Sequence, residues 1–210
     1  MTSLEVPGPA YRVRTRRLLV RCWDPTDAVL LKTAVDESLE HLRPWMPWAS
    51  DEPQDLQAKI KLLRRFRGKF DLGQDFVYGV FSPDEDKVLG SSGLHTRVGK
   101  EAREIGYWIH VDHINQGLAT EVAAALTKVA FEIDGLQRVE IHCDPDNARS
   151  AAIARKLGFI HEGTLRRRTI GAQGEWRDSM IWTLFAEEYA TSIAERAEIE
   201  AYDAAGRRIR

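Results

Sequence analysis

Several things are scarce in this chain, and each scarcity removes a class of protein. Only two cysteines, Cys22 and Cys143, occur in 210 residues. That argues against a disulfide-built scaffold and for a reducing compartment, the cytoplasm. Neither charge dominates: 30 Lys+Arg stand against 32 Asp+Glu, a net −2 at pH 7. No global field therefore draws the chain to nucleic acid or to an anionic membrane. No apolar run approaches transmembrane length, and the opening MTSLEVPGPAYRVRTRR lacks the apolar centre of a signal peptide. Among six histidines, His110 and His142 fall on neighbouring predicted strands, but no metal-ligand spacing appears and no metal is expected. A Gly-x-Gly-x-x-Gly after a strand is missing, which removes the dinucleotide-binding reading. Internal repeats and low-complexity tracts are also missing.

What is present centres on residues 104–135. Ile105, Tyr107 and Ile109 alternate with Glu104, Gly106, Trp108 and His110, the period of a strand. A short loop, Asp112-His113-Ile114-Asn115-Gln116-Gly117, then feeds a helix with Leu118, Val122, Leu126, Val129 and Ile133 on one face and Gly135 at its end. First-turn N–H groups lack helical partners and carry the positive end of the dipole, so a strand, a glycine bend and a helix start make an anion site. Gly117 lets backbone approach such a ligand without a Cβ in the way.

The rest of the chain reads as α+β, with a mostly antiparallel sheet and helices on its faces. After a loose lead-in over residues 1–10, a strand is expected over 16–23. Asp24-Pro25-Thr26-Asp27 starts a helix, and a second helix spans about 53–67. Strands follow over 75–81, 88–96 and 104–110. Residues 137–143 alternate as a strand with Cys143 as core filler, and a helix after Asn147 ends at Gly158. Strands over 159–163, 164–170 and 177–185 close the domain, with a turn at 171–174. Residues 186–205 read as helical, so the expected layout is 1–10 lead-in, 11–188 domain and 189–210 charged helical tail.

Two segments together resemble the GNAT superfamily of N-acetyltransferases. Gln116-Gly117-Leu118-Ala119-Thr120-Glu121 is similar to its pyrophosphate loop, and Asn147-Ala148-Arg149-Ser150 with Lys156-Leu157-Gly158-Phe159 to its next cofactor motif. Within the superfamily the chain looks most like the Rim-type acetyltransferases of ribosomal-protein amino termini. Carrying that likeness are Arg-Thr-Arg-Arg-Leu, Pro44-Trp45-Met46-Pro47-Trp48, Glu104-Ile105-Gly106-Tyr107-Trp108 and Glu175-Trp176-Arg177-Asp178-Ser179. The resemblance covers roughly 11–188. It implies the GNAT fold with a splayed central strand pair, acetyl-CoA as co-substrate, direct attack in a ternary complex, and a possible homodimer.

It also implies site residues. The backbone N–H groups of Asn115, Gln116, Gly117, Leu118, Ala119 and Thr120 would take the pyrophosphate. The strand edge Trp108, Ile109, His110 and Val111 would pair with the pantetheine arm, and a backbone N–H near Ile109 would meet the oxyanion. Asn147 caps its helix or bonds the pantetheine, or does both through different atoms. Ser150 would face the departing thiolate. Glu104 is the candidate for activating the amine; its alternative is an exposed strand-end glutamate pairing with Arg103 or Lys100. Trp45 and Trp48 wall the acceptor site or pack the early helices. The sequence departs from the family at Ile114, where Gln or Arg is usual, at Asn115, often a second glycine, and at Ala154, where many members place a proton-donating tyrosine. An acetyl-CoA-dependent transferase acting on a primary amine, a protein N-terminus or a small molecule, is the leading reading; a non-catalytic acetyl-CoA sensor is the other.

Overall fold

The computed structural model describes residues 8–171 and 173–210. The chain opens with β1 (Arg12–Arg14) and β2 (Leu19–Cys22), then a 3-10 turn at Pro25–Asp27 and helix α1 (Ala28–Leu42). Asp24 caps that turn by accepting from the Thr26 N–H, with Asp27 bonding back to it. A further 3-10 turn at Pro47–Asp51 leads to α2 (Leu56–Asp71), capped by Asp55. Then come β3 (Phe76–Phe81), β4 (Val88–His95) and β5 (Ala102–Ile109). Helix α3 (Leu118–Glu132), β6 (Arg138–Cys143) and α4 (Ala148–Leu157) form the second half. It closes with β7 (Ile160–Ile170), β8 (Trp176–Phe185), the single turn α5 (Ala186–Tyr189) and β9 (Glu200–Tyr202).

The nine strands of the described residues lie in one sheet, ordered β7-β8-β6-β5-β4-β3-β2-β1-β9. Every neighbouring pair is antiparallel except β5 and β6, which run parallel and are registered only from Ala102↔Arg138 to Glu104↔Glu140. Beyond Glu104, β5 continues to Ile109 and β6 to Cys143 without pairing. The two strands part there, as the resemblance implied. The alternation of β5 distributes its side chains between two cores. Ile105 and Ile109 join α3 and α4 on one face, and Trp108 joins α1 and α2 on the other.

Helix α3 is buried nearly all round: Val122, Ala123, Ala125, Leu126, Val129 and Ala130 are inaccessible. Each large apolar side chain so placed contributes about 1.5–3 kcal/mol relative to exposure. The helix start is thereby fixed against the sheet, which matters for a site built on its first turn.

Three expectations need correction. Residues 159–170 do not break into two strands; β7 is continuous, because the polar run Gly163-Thr164 lies on a solvent-facing edge where apolar alternation is not required. The helical tail expected over 189–210 does not form. After α5 and a 3-10 turn at Ala194–Arg196, β9 adds to β1 with Ala201 fully buried, so the polar composition reflects an edge strand with one inward residue. β1 was not expected as a strand at all; it is short and held between β2 and β9. The expected lead-in falls, for residues 1–7, outside the described residues, while Ala10 is already in the core. Among the described residues no helix is long and apolar enough to cross a membrane.

Candidate active site

The parted ends of β5 and β6 open into a cleft of 2370 Å³ that runs from the start of α3 to the Trp45–Trp48 region. Ordinary small-molecule pockets run about 300–1,000 Å³, so this one has room for two ligands together.

At one end the loop after β5 prepares an anion site. Asn115 adopts φ +60, a left-handed value that asparagine tolerates better than most residues, and Gly117 follows at φ +79. No side chain caps α3, so the N–H groups of Leu118, Ala119 and Thr120 are left to a ligand. The loop is tied from behind by residues whose role the sequence did not disclose. Arg17 donates through Nη1 to the Gln116 carbonyl (2.9 Å) and through Nε to Glu121 (2.7 Å), and Thr15 donates to the same carboxylate (2.6 Å). Where Ile114 replaces the usual Gln or Arg, this guanidinium brings positive charge to the loop from the turn between β1 and β2. Arg17→Ala is expected to weaken CoA binding about fivefold, near 1 kcal/mol for a half-exposed pair. Isothermal titration checks it; an unchanged Kd removes the role.

Of the strand edge expected to receive pantetheine, two N–H groups are already engaged. His110 donates its backbone N–H to Leu89 O (2.9 Å) and Val111 donates to Ser38 Oγ (3.1 Å). Antiparallel alternation turns the even-numbered backbone of β5 toward β4 and the odd-numbered, including Ile109, toward the gap. The His110 ring takes no part in the gap either. Its Nδ1 accepts from the Asp112 N–H, so Nε2 is the donor to Glu37 (2.9 Å), which fastens α1 to this corner.

The two faces of the gap carry different chemistry. On the α3/α4 face, Asn147 Oδ1 accepts from the Ser150 N–H (3.1 Å), which leaves its amide nitrogen unspent. Ser150 Oγ lies 3.0 Å from the Tyr107 hydroxyl. Burial pushes the Tyr107 phenol well up, so it stays protonated throughout the neutral range. A tyrosine hydroxyl, absent at Ala154, thus reaches Ser150 from β5. The alternation placed Tyr107 on this face, but only the fold brings it to a residue 43 positions later. Cys143, buried beside them, has its thiol pushed up by burial as well.

On the α1/α2 face stands Glu104, buried rather than at an exposed strand end, and paired with neither Arg103 nor Lys100. Arg97 grips it with Nε to Oε2 (2.6 Å) and Nη2 to Oε1 (2.5 Å). Burial pushes its carboxyl up, but the Arg97 bonds and charge, with His142 behind, more than offset this and hold it below the ordinary value. His142 donates from Nε2 to Glu140 (2.6 Å) and turns Nδ1 toward Glu104, 3.5 Å away. Gly106, two residues from Glu104, lies close under the His95 ring: a Cβ there would sit 3.3 Å from it. Trp108 packs on Trp48 at 6.3 Å between centroids. Arg177 lies over Trp45 at 5.7 Å, bonds Pro44 O, and pairs with Asp144 at 2.7 Å, so it ties the Trp45 segment to β8 across the cleft.

Comparisons with known proteins give the family and the fold. The family model described as an acetyltransferase (GNAT) domain matches residues 17–160. The ribosomal protein uS5-alanine N-acetyltransferase of Escherichia coli is 27% identical over 186 residues, 86% of this chain and 94% of that one. RimJ of Mycobacterium smegmatis, solved with a CoA disulfide, superposes with TM-score 0.76 at 24% identity, covering 90% of this chain and 93% of the other. A microcin self-immunity acetyltransferase solved with acetyl-CoA and AMP gives TM-score 0.74 at 18% identity over 81% of this chain and 93% of its own. At those identities the structural likenesses speak to the fold alone.

Proposed function

Because the chain belongs to the GNAT acetyltransferase family, we propose that it moves the acetyl group of acetyl-CoA onto a primary amine, the N-terminal α-amine of a protein, by direct attack within a ternary complex. One observation carries the reading: the β5–β6 ladder stops at Glu104↔Glu140 with an uncapped helix start at one end of the resulting gap. The diphosphate of the cofactor sits on the Asn115–Thr120 loop, and the pantetheine arm runs along Ile109 into the gap with Asn147 as a second support. The thioester then faces Ser150 on one side and Glu104 on the other.

Glu104, ionised at neutral pH, draws the incoming ammonium toward the gap. A carboxylate held low is a poor proton store, so the proton passes on to Nδ1 of His142, which faces the same carboxylate oxygen. The free amine attacks the thioester carbon, and the oxyanion is met by the Ile109 N–H. As the C–S bond breaks, the surplus proton on the attacking nitrogen leaves it and the departing thiolate takes one up from the Ser150 hydroxyl, which passes the proton along while the Tyr107 hydroxyl, holding its own, donates to Ser150 and fixes that direction. Trp45, Trp48 and Trp108 wall the acceptor. The uS5-alanine relative supports a protein acceptor and hence work in the cytoplasm. A second reading keeps the chemistry and makes the acceptor a small-molecule amine, for which the cleft also has room.

Thiol release from acetyl-CoA with a panel of N-terminal peptides and small amines tests the proposal; no release with any amine contradicts it and favours the sensor. Tyr107→Phe is expected to lower kcat about tenfold with the Kd of CoA unchanged. The double variant with Ser150→Ala should be no slower than Ser150→Ala alone, because Tyr107 acts through Ser150. Additive losses contradict that assignment.

A further inference from the structure

The sheet ends differently at its two edges. At β9 the chain folds back on itself, with Arg208 bridging Tyr202 and the Ile209 N–H donating to Ala201 O (2.8 Å). That short outer strand is covered. At the other edge β7 runs for 11 residues, almost all exposed, with no strand beyond it among the described residues. Long open edges are hazards that proteins blunt or use.

This edge also carries Arg166, Arg167 and Arg168, none within ion-pair distance of a carboxylate among the described residues. The whole chain is net negative, so these cations are a local field and not part of a basic surface. Pairing with β8 breaks between Leu165 and Thr169. Inside the break Arg167 holds φ +50, its N–H bonded to Asp178 Oδ1 at 2.8 Å. Bulges re-aim side chains, and a long side chain kept at positive φ is a cost the surroundings must sustain. Leu165, Arg168 and Thr169 lie on the rim of the cleft, so the arginine strip continues the acceptor side outward.

We infer that β7 is a docking strip for the acceptor polypeptide behind its acetylated end, taking an extended acidic segment along the unpaired edge with its carboxylates on the arginine bulge. The inference rests on the acceptor being a polypeptide, as proposed above. Backbone groups of the edge supply the direction of the bound segment, and the arginines supply its charge preference. A second copy of this chain is the poorer occupant, since it brings the same three cations to the same strip.

Peptides sharing one N-terminal sequence, followed by a block of either glutamates or lysines, are measured twice. Binding is read by fluorescence anisotropy with CoA present, and turnover by thiol release with acetyl-CoA. The glutamate peptide is expected to bind about tenfold more tightly than the lysine peptide, and the preference should fade as salt rises. Arg166→Glu with Arg167→Glu should reverse the order, while turnover of the shared N-terminal segment alone stays unchanged. Equal binding of the two peptides, or an order that charge reversal leaves intact, overturns the inference. So does a dimer in sedimentation that the double variant abolishes, because a second copy then covers the strip. Tight, charge-dependent binding without thiol release leaves the docking strip standing and contradicts the transferase reading instead.

Discussion

Replacing Glu104 with glutamine is expected to lower kcat/KM for the amine by about a hundredfold or more, the range of a lost acid–base or charge-steering group, with the Kd of CoA unchanged. Glutamine keeps the size of the side chain and one acceptor for Arg97, so the fold should survive. The pH dependence follows from the balance at this carboxyl. Burial raises it, and Arg97 more than offsets the rise; above about pH 6 the wild-type group should therefore stay ionised and not limit the rate. In Arg97→Ala only the charges of His142 and His95 still oppose burial, so the acidic limb of kcat/KM should move toward neutrality. An acidic limb that does not move contradicts the role given to Arg97. The same linkage bears on stability. A depressed folded value means Glu104 contributes stability that is full above its unfolded value and is lost as pH falls through the folded one.

The second large effect concerns the acceptor wall. Lys59 and Glu52 form an ion pair whose side chains are 1% and 3% exposed, at the base of the Pro47–Asp51 turn that carries Trp48. Glu52 also accepts from the Gln54 N–H (2.9 Å). Lys59→Ala leaves that carboxylate buried and unpaired, at a cost of about 3–5 kcal/mol. For a domain of this size that lowers Tm by roughly 10 °C. Removing both charges together, Glu52→Gln with Lys59→Met, should recover most of the loss, because a buried pair is worth little beyond satisfying itself. Below its melting range Lys59→Ala should raise KM for the amine and leave the Kd of CoA alone, since the pair supports the tryptophan side of the cleft and not the α3 loop. Thermal denaturation and steady-state kinetics check both parts; a shift of less than a degree would show that the pair is not sustaining this wall.

The α3 end of the candidate site was more legible in the sequence than the Trp45–Trp48 end, for a physical reason. Gly117, Asn115, Asn147 and Ser150 lie at a bend and two helix starts, and local geometry leaves a local signature. The two faces of β5 were likewise legible from its alternation. Lys59, by contrast, sits in a helix rich in solvated Lys and Arg, and nothing in its spacing marks it as the one that is buried. Arg97, His142, Arg177 and Arg17 reach the candidate site only through partners brought by the fold. Glu104 meets Arg97 seven residues away, while Arg177 meets Pro44 across 133 positions. The tail was misread for a related reason: its polar composition suits an exposed helix, and a single inward residue, Ala201, is too weak a signal for a strand.

The account depends on a gap between two strands that threads a thioester from one face of the sheet to the other. A crystal structure of this chain with CoA tests that directly. The diphosphate should accept from the Leu118, Ala119 and Thr120 N–H groups, the arm should lie between β5 and β6, and the sulfur should rest beside Ser150 Oγ. A diphosphate bound elsewhere, or an arm lying outside the gap with Ser150 untouched, would contradict it.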